Sequence, residues 1–222
     1  MGSSDGNSKL LANLTGNLSG GRTVLEWTLD SLLKSGVVQG FVIAARDENQ
    51  DLIFKLASGL NLPNLILAPG GDDRQTSVYN SLIVLGDKSE FVMIHDGARP
   101  LCPPAMIRAV AKIGQESGAA LLAIPARSTL KVVIENSSRI VRETVPREMI
   151  WEAQTPQVFN LSLLKAAHEK AIKDGFKGTD DSMLVERMGH VVHVVEGSPL
   201  NLKITTKEDL LNAQLIASSK PS

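Results

Sequence analysis

The sequence is poor in cysteine: Cys102 is the single one in 222 residues. One thiol excludes an intrachain disulfide and any zinc site built from several cysteines. No nucleophile signature surrounds it, so it reads as a small hydrophobe of the interior. A surplus of either charge is also lacking. Lys and Arg number 23 against 24 Asp and Glu, a net charge of -1. That excludes the global basic excess of an electrostatic nucleic-acid binder and leaves room only for a local basic pocket. No apolar run approaches the ~18–20 residues that would span a bilayer. The opening MGSSDGNSKL has no apolar segment and is not a secretory signal. Gly6 stands where a myristoylation pattern needs Ser or Thr. The Asn-x-Ser/Thr triplets at Asn13, Asn17, Asn136 and Asn160 then read as chance. The expectation is a soluble, cytoplasmic protein with no nucleic-acid or membrane partner.

What is present is an alternation of two apolar periods. Helical spacing is expected over Thr23–Ser35, around Leu52, Ile53 and Leu56, and over Thr76–Leu85, Pro103–Gln115, Leu161–Lys173, Asp180–Met188 and Thr206–Ala217. Short apolar runs at Gly40–Ala44, Asn64–Ala68, Phe91–Ile94, Ala119–Ile124, His190–Val195 and Leu202–Thr205 read as strands. Such alternation predicts an α/β fold, doubly wound on a mostly parallel sheet buried on both faces. Lys131–Glu135 and Arg139–Glu143 flank Asn136-Ser137-Ser138 and predict a projecting β-hairpin within an arm at about 126–150. Thr206 with Asp209 has the form of a capping box. Nothing marks a second domain, so residues 1–222 read as one unit.

Polar clusters follow several strands, where open parallel sheets bind ligands. Gly70-Gly71-Asp72-Asp73-Arg74-Gln75 lies between a strand and a helix. Its glycines admit close approach and the helix start offers free N–H groups, although for this stretch alone a plain strand-to-helix turn with an aspartate cap is the favoured reading. His95-Asp96-Gly97-Ala98-Arg99-Pro100 ends the run FVMI. Asp96 could serve a divalent cation on nucleotide phosphates, while Arg99 reads better as its ion-pair partner and His95 as a core histidine. Lys203, between Leu202 and Ile204, could reach phosphate oxygens or merely snorkel to solvent. Thr179-Asp180-Asp181 reads as a helix cap and Thr155-Pro156-Gln157 as a turn.

Taken together and in order, "GGDDRQTSVYNSL", "IHDGARP", "STLK", "WEAQTPQVF", "GTDDSMLVERMG" and "GSPLNLKITTKEDL" resemble the 2-C-methyl-D-erythritol 4-phosphate cytidylyltransferases. The resemblance runs from about Lys9 to Ala217. Trp151 ahead of Gln154-Thr155-Pro156-Gln157, and Leu184-Val185-Glu186, favour this family over the related ribitol-phosphate cytidylyltransferases. The alternatives are a cytidylyltransferase for another polyol phosphate, such as ribitol 5-phosphate, and a non-catalytic nucleotide-binding relative. The resemblance implies a Rossmann-like nucleotidyltransferase fold and transfer of CMP from CTP to methylerythritol phosphate in the non-mevalonate isoprenoid pathway. It also implies Mg²⁺, a homodimer formed through the hairpin arm, and a cytoplasmic or, in a plastid-bearing organism, stromal location.

Residue by residue, the resemblance implies that Gly70, Gly71 and Asp72 border cytosine and that Ser77 touches the nucleotide. Asp96 and Gly97 would lie at the ribose and metal–phosphate region. Lys9 would bind the triphosphate, and Lys203 would bridge nucleotide and substrate phosphates. Arg147, Thr155 and Thr179 would hold methylerythritol phosphate, with Arg147 serving the partner's site. The catalytic expectation thus falls on Lys9, Lys203 and Asp96, with Asp96 also the metal ligand.

The chain departs from the family at Pro146 and Ser128, where aspartates are usual, and at Gly97, where alanine or serine is usual. Extra residues around Gly16–Gly20 read as a loop extension. The family opens with an apolar strand and a glycine-rich loop ending in Arg-Met-Gly, and Met1-Gly2 aligns with the end of that loop. The expectation is that about twenty further residues, the length of a strand plus a loop, belong ahead of Met1.

Overall fold

The structure is a computed structural model that describes residues 9–14, 21–134 and 139–219. The expected loop extension at Gly16–Gly20, the hairpin tip and Met1–Gly2 lie outside these residues.

Helix α1 (Val24–Lys34) begins with a capping box in which Thr23 and Glu26 satisfy each other's backbone N–H groups. Strand β1 (Phe41–Ala45), α2 (Gln50–Ser58), β2 (Leu65–Pro69), α3 (Arg74–Leu85) and β3 (Phe91–Ile94) follow in the predicted alternation. Next come α4 (Pro104–Ser117), β4 (Ala119–Pro125), and the antiparallel pair β5 (Leu130–Ile134) and β6 (Ile140–Val145). The chain closes with β7 (Trp151–Asn160), α5 (Leu161–Lys173), α6 (Asp181–Arg187), β8 (His193–Glu196) and α7 (Lys207–Ser218). The Thr206–Asp209 capping box forms as expected. Leu202–Thr205, expected as a strand, has no regular structure; the Ile204 N–H instead donates to Ala98 O at 2.9 Å. Asn160, one of the chance triplets, caps α5 by accepting from the Ser162 and Leu163 N–H groups.

β1 and β2 pair in parallel, and a second sheet has the order β3-β7-β4-β8. Both border one core: Phe41 and Ala45 of β1 cluster with Ala120 and Leu122 of β4 and Val158 of β7. Within the larger sheet β4 and β8 are parallel, and both β3 and β4 run antiparallel to β7. The sheet is therefore mixed, and β7 makes it so. Sequence patterning missed this strand because Trp151–Asn160 contains Gln154, Pro156 and Gln157, and proline argues against an interior ladder. The ladder does break there: the β4–β7 register shifts between Leu121 and Ala123, opposite Gln154–Pro156. The structure shows how β7 stays inside regardless. Gln154, Thr155 and Gln157 are buried, and each side chain is hydrogen-bonded to a neighbouring loop or helix. Helix α4 lies close on β7 at Gly114, where a Cβ would come within 2.5 Å of Val158 Cγ1.

Candidate active site

The polar clusters meet around the end of β3. Asp96, the second residue after that strand, is half-buried and its carboxylate is shared by three cations. Arg74 Nε lies 3.0 Å from Oδ1, while Lys203 Nζ and Arg99 Nε lie 2.9 and 3.6 Å from Oδ2. Burial pushes the Asp96 carboxyl up, but Lys203 and Arg74 outweigh it and hold the group down at about 2. Arg99 is buried and donates to Asn201 O at 2.7 Å; burial lowers its affinity for a proton against the pull of Asp96. The pairing of Arg99 with Asp96 expected from sequence is thus present.

Thr155 holds Asp96 from β7. The Asp96 N–H donates to Thr155 Oγ1 at 3.0 Å, and that hydroxyl lies 3.0 Å from His95 Nδ1. His95 Nε2 lies 3.3 Å from Arg99 O. The consistent arrangement has His95 donating from Nε2 and accepting the threonine proton at Nδ1. Burial lowers His95 to about 4, so the ring is neutral at pH 7. The Thr155 hydroxyl proton is therefore committed inside the protein, and Thr155 acts on this cluster as an organiser of backbone.

The glycine loop after β2 is equally organised from within. The Gly71 N–H donates to Ser77 Oγ at 2.9 Å, and Ser77 donates to Asp73 O at 2.9 Å. A Cβ on Gly71 would meet Thr76 at 2.5 Å, so only glycine fits that close approach. Asp73 caps α3 through the Thr76 N–H at 2.8 Å. The Thr76 backbone and hydroxyl, with Lys177, hold the Asp73 carboxyl at about 2. Asp72 is exposed beside this loop and Gly70 packs over Ala45. Gly97 lies against Leu10 and Leu25, and its carbonyl accepts from Thr28 Oγ1 at 2.8 Å.

Two further links converge on the same rim. Lys9 Nζ donates to Thr205 O, two residues beyond Lys203. Buried Asn201 donates to Gln154 Oε1 at 3.2 Å and Thr155 O at 2.9 Å, tying the Lys203 loop to β7. Thr179 is exposed just ahead of α6, whose cap is Asp180. Arg147 stands apart from this group. It begins a short 3-10 turn after β6, where it donates to Arg127 O at 2.9 Å and borders an open recess with Thr129, Thr144 and Glu148.

Sequence reasoning passed over Arg74, Asp181 and His168. Arg74 also lies 2.7 Å from Asp181 Oδ2, and Asp181 Oδ1 lies 3.0 Å from His168 Nε2. Both Asp181 and Asp96 favour the charged guanidinium against its burial. His168 gave no readable signal, since one histidine in an apolar helical stripe looks like packing. Arg74 lay within a quoted motif, and its position as the first residue of α3 was the available clue.

A divalent cation does not fit Asp96 in this arrangement, because both carboxylate oxygens face cations at hydrogen-bonding or ion-pair distance. Among the described residues no group of three or more His, Cys, Asp or Glu could hold a metal ion. No described helix is long and apolar enough to cross a membrane.

An α/β fold with polar side chains gathered beyond its strand ends is where such sheets bind ligands, and the comparisons give the class as nucleotidyltransferase. The 2-C-methyl-D-erythritol 4-phosphate cytidylyltransferase (IspD) family model matches residues 4–219, and the chain belongs to that family. It is 44% identical over 195 residues to the 2-C-methyl-D-erythritol 4-phosphate cytidylyltransferase of Desulforamulus reducens, covering 87% of this chain and 82% of the relative. The relative from Dictyoglomus thermophilum is 37% identical over 208 residues, 93% of this chain and 87% of its own length. The crystal structure of 4-diphosphocytidyl-2C-methyl-D-erythritol synthase from Anaerococcus prevotii matches with a TM-score of 0.82 at 31% identity, covering 90% of this chain and 87% of that one.

Proposed function

We infer that the chain transfers CMP from CTP to the phosphate of 2-C-methyl-D-erythritol 4-phosphate, as its family does, releasing pyrophosphate. A phosphate oxygen of the sugar substrate forms a bond to the α-phosphorus of CTP. The bond from that phosphorus to the bridging oxygen breaks, and its electron pair leaves with pyrophosphate. The nucleophile is already ionised, so no proton has to move. Catalysis then rests on alignment and on offsetting negative charge. The observation that carries the reading is the gathering of Arg74, Arg99 and Lys203 on the single Asp96 carboxylate at the rim.

In this reading Lys203, 41% exposed, turns from Asp96 to the phosphates, and Lys9 joins it from beside Thr205. Gly70, Gly71 and Asp72 border the base, with Ser77 shaping their loop. Gly97 and Asp96 adjoin the ribose. Thr179 and the partner's copy of Arg147 face the sugar phosphate, and Thr155 supports them from β7. Mg²⁺ enters with the nucleotide as part of the substrate, because the Asp96 carboxylate is engaged by cations.

The hairpin supports association through the arm: Val133, Ile134, Ile140 and Val141 are about half exposed on β5 and β6. Among the described residues β1 is laddered only to β2 and β3 only to β7, which supports an additional strand belonging to the sheet.

The test is pyrophosphate release by purified protein with CTP, Mg²⁺ and either methylerythritol phosphate or ribitol 5-phosphate. Faster release with methylerythritol phosphate is expected. Preference for ribitol phosphate, or CTP binding without turnover, overturns the reading.

A further inference from the structure

Asp96 is held from behind by a chain that reaches the interior. His168 Nε2 donates to Asp181 Oδ1 at 3.0 Å, Arg74 bridges Asp181 Oδ2 at 2.7 Å and Asp96 Oδ1 at 3.0 Å, and Lys203 meets Asp96 Oδ2 at 2.9 Å. We propose that His168, Asp181 and Arg74 are positioning residues that orient the Asp96 carboxylate, and through it the Lys203 ammonium, for cytidylyl transfer. The inference rests on the function proposed above.

Stability alone is a poor reason for this arrangement. His168 and Asp181 are 0% and 1% exposed, and His168 Nδ1 is buried without a hydrogen-bond partner among the described residues. Such groups lose hydration that packing does not return, and an apolar residue of similar volume would serve a core as well or better. The neighbours of His168 on α5 show what that core accepts: Leu161, Leu164, Ala167 and Ala171 are all buried. A histidine in this stripe is costly, and what it provides is an N–H aimed at Asp181.

The geometry also makes the chain stiff where stiffness matters. Asp181 is the first residue of α6, whose cap Asp180 is clamped by Gln157 of β7 at 2.8 Å. The His168 ring stacks on Tyr79, with centroids 6.1 Å apart and planes at 21°. Tyr79 lies on α3, the helix that begins with Arg74. One helix therefore carries Arg74 and also braces the histidine that anchors the far carboxylate. Arg74, 31% exposed, would otherwise be free to turn to solvent or to a phosphate. Pinned between two carboxylates, its planar fork presents a fixed edge to Asp96. Asp96 in turn sets where Lys203 rests before substrate arrives.

The experiment compares His168→Gln, whose amide can supply the same N–H, with His168→Leu, which cannot. Steady-state kcat and KM for CTP and the sugar phosphate are measured well below each variant's melting temperature. His168→Leu is expected to lower kcat by about tenfold or more with KM within about threefold, and His168→Gln to keep kcat within about threefold. An unchanged kcat in His168→Leu, a loss confined to KM, or an equal loss in both variants overturns the proposal. Should His168→Leu not fold, Arg74→Lys keeps the charge but cannot bridge both carboxylates. It is expected to show the same fall in kcat, and wild-type turnover in it overturns the proposal. Inactivity of the wild-type protein would instead count against the proposed function.

Discussion

The Thr155 hydroxyl accepts the backbone N–H of Asp96 across two strands, at 3.0 Å. This contact joins β7 to the residue on which three cations converge, and it leaves the hydroxyl proton for His95. Thr155→Val keeps the shape and removes both interactions, leaving a buried N–H and a buried ring nitrogen unsatisfied. The expected loss is about 2–6 kcal/mol of stability, from about 1–3 for each of the two buried unsatisfied groups. Thr155→Ser should recover most of it. Urea unfolding of the three proteins decides; equal midpoints would show that the hydroxyl does not hold Asp96.

Lys203→Ala removes the most exposed of the three cations on Asp96. The expected effect is kinetic. Transition-state stabilisation should fall by about 2–4 kcal/mol, in line with losing charge-assisted contacts to phosphate. The melting temperature should fall only modestly, since Arg74 and Arg99 stay on the half-buried Asp96 carboxylate. Turnover near the wild-type rate would remove Lys203 from the mechanism.

His95 gives the fold a pH dependence with a definite sign. Its folded-state value is lowered to about 4 by burial, against about 6.5 in the unfolded chain. Between these values the unfolded state binds a proton that the folded state refuses. The stability contribution is complete above about pH 6.5 and is lost as pH falls toward 4, by up to about 1.4 kcal/mol per unit. His95→Asn should flatten that slope. Parallel unfolding curves at pH 7, 6 and 5 for the two proteins would contradict the assignment.

Two glycines separate constraint from tolerance. A Cβ at Gly71 would lie 2.5 Å from Thr76 and 2.9 Å from Ser77 N, whereas one at Gly97 would find Leu10 at an ordinary 3.4 Å. Gly71→Ala should cost about 1–3 kcal/mol, as overpacking does, and raise KM for CTP by displacing the loop. Gly97→Ala should leave both within about twofold. A Gly71→Ala enzyme with wild-type KM would show that the loop does not border the nucleotide.

The hairpin makes a prediction about assembly. Ile140→Lys with Val141→Lys places charge on side chains that are each 53% exposed. If a second copy covers them, the double variant should sediment as a monomer at concentrations where the wild-type protein is a dimer. A wild-type monomer, or an unaffected dimer, argues against association through this surface.

Local pattern alone was enough for much of the architecture. The apolar runs of β1 to β4, the stripes of α1, α4 and α5, and the Thr206 cap all follow from periodicity and end chemistry acting over a few residues. The motif order was enough to identify the family. Strand β7 was decided elsewhere: Trp151–Asn160 is polar and proline-bearing, and it enters the sheet because Gln154, Thr155 and Gln157 find partners on the loops around them. Asp96 likewise became an anchor for cations because Arg74 and Lys203, 22 and 107 positions away, fold onto it. Burial makes such polar groups affordable only when their partners arrive together, and that simultaneity belongs to the folded chain.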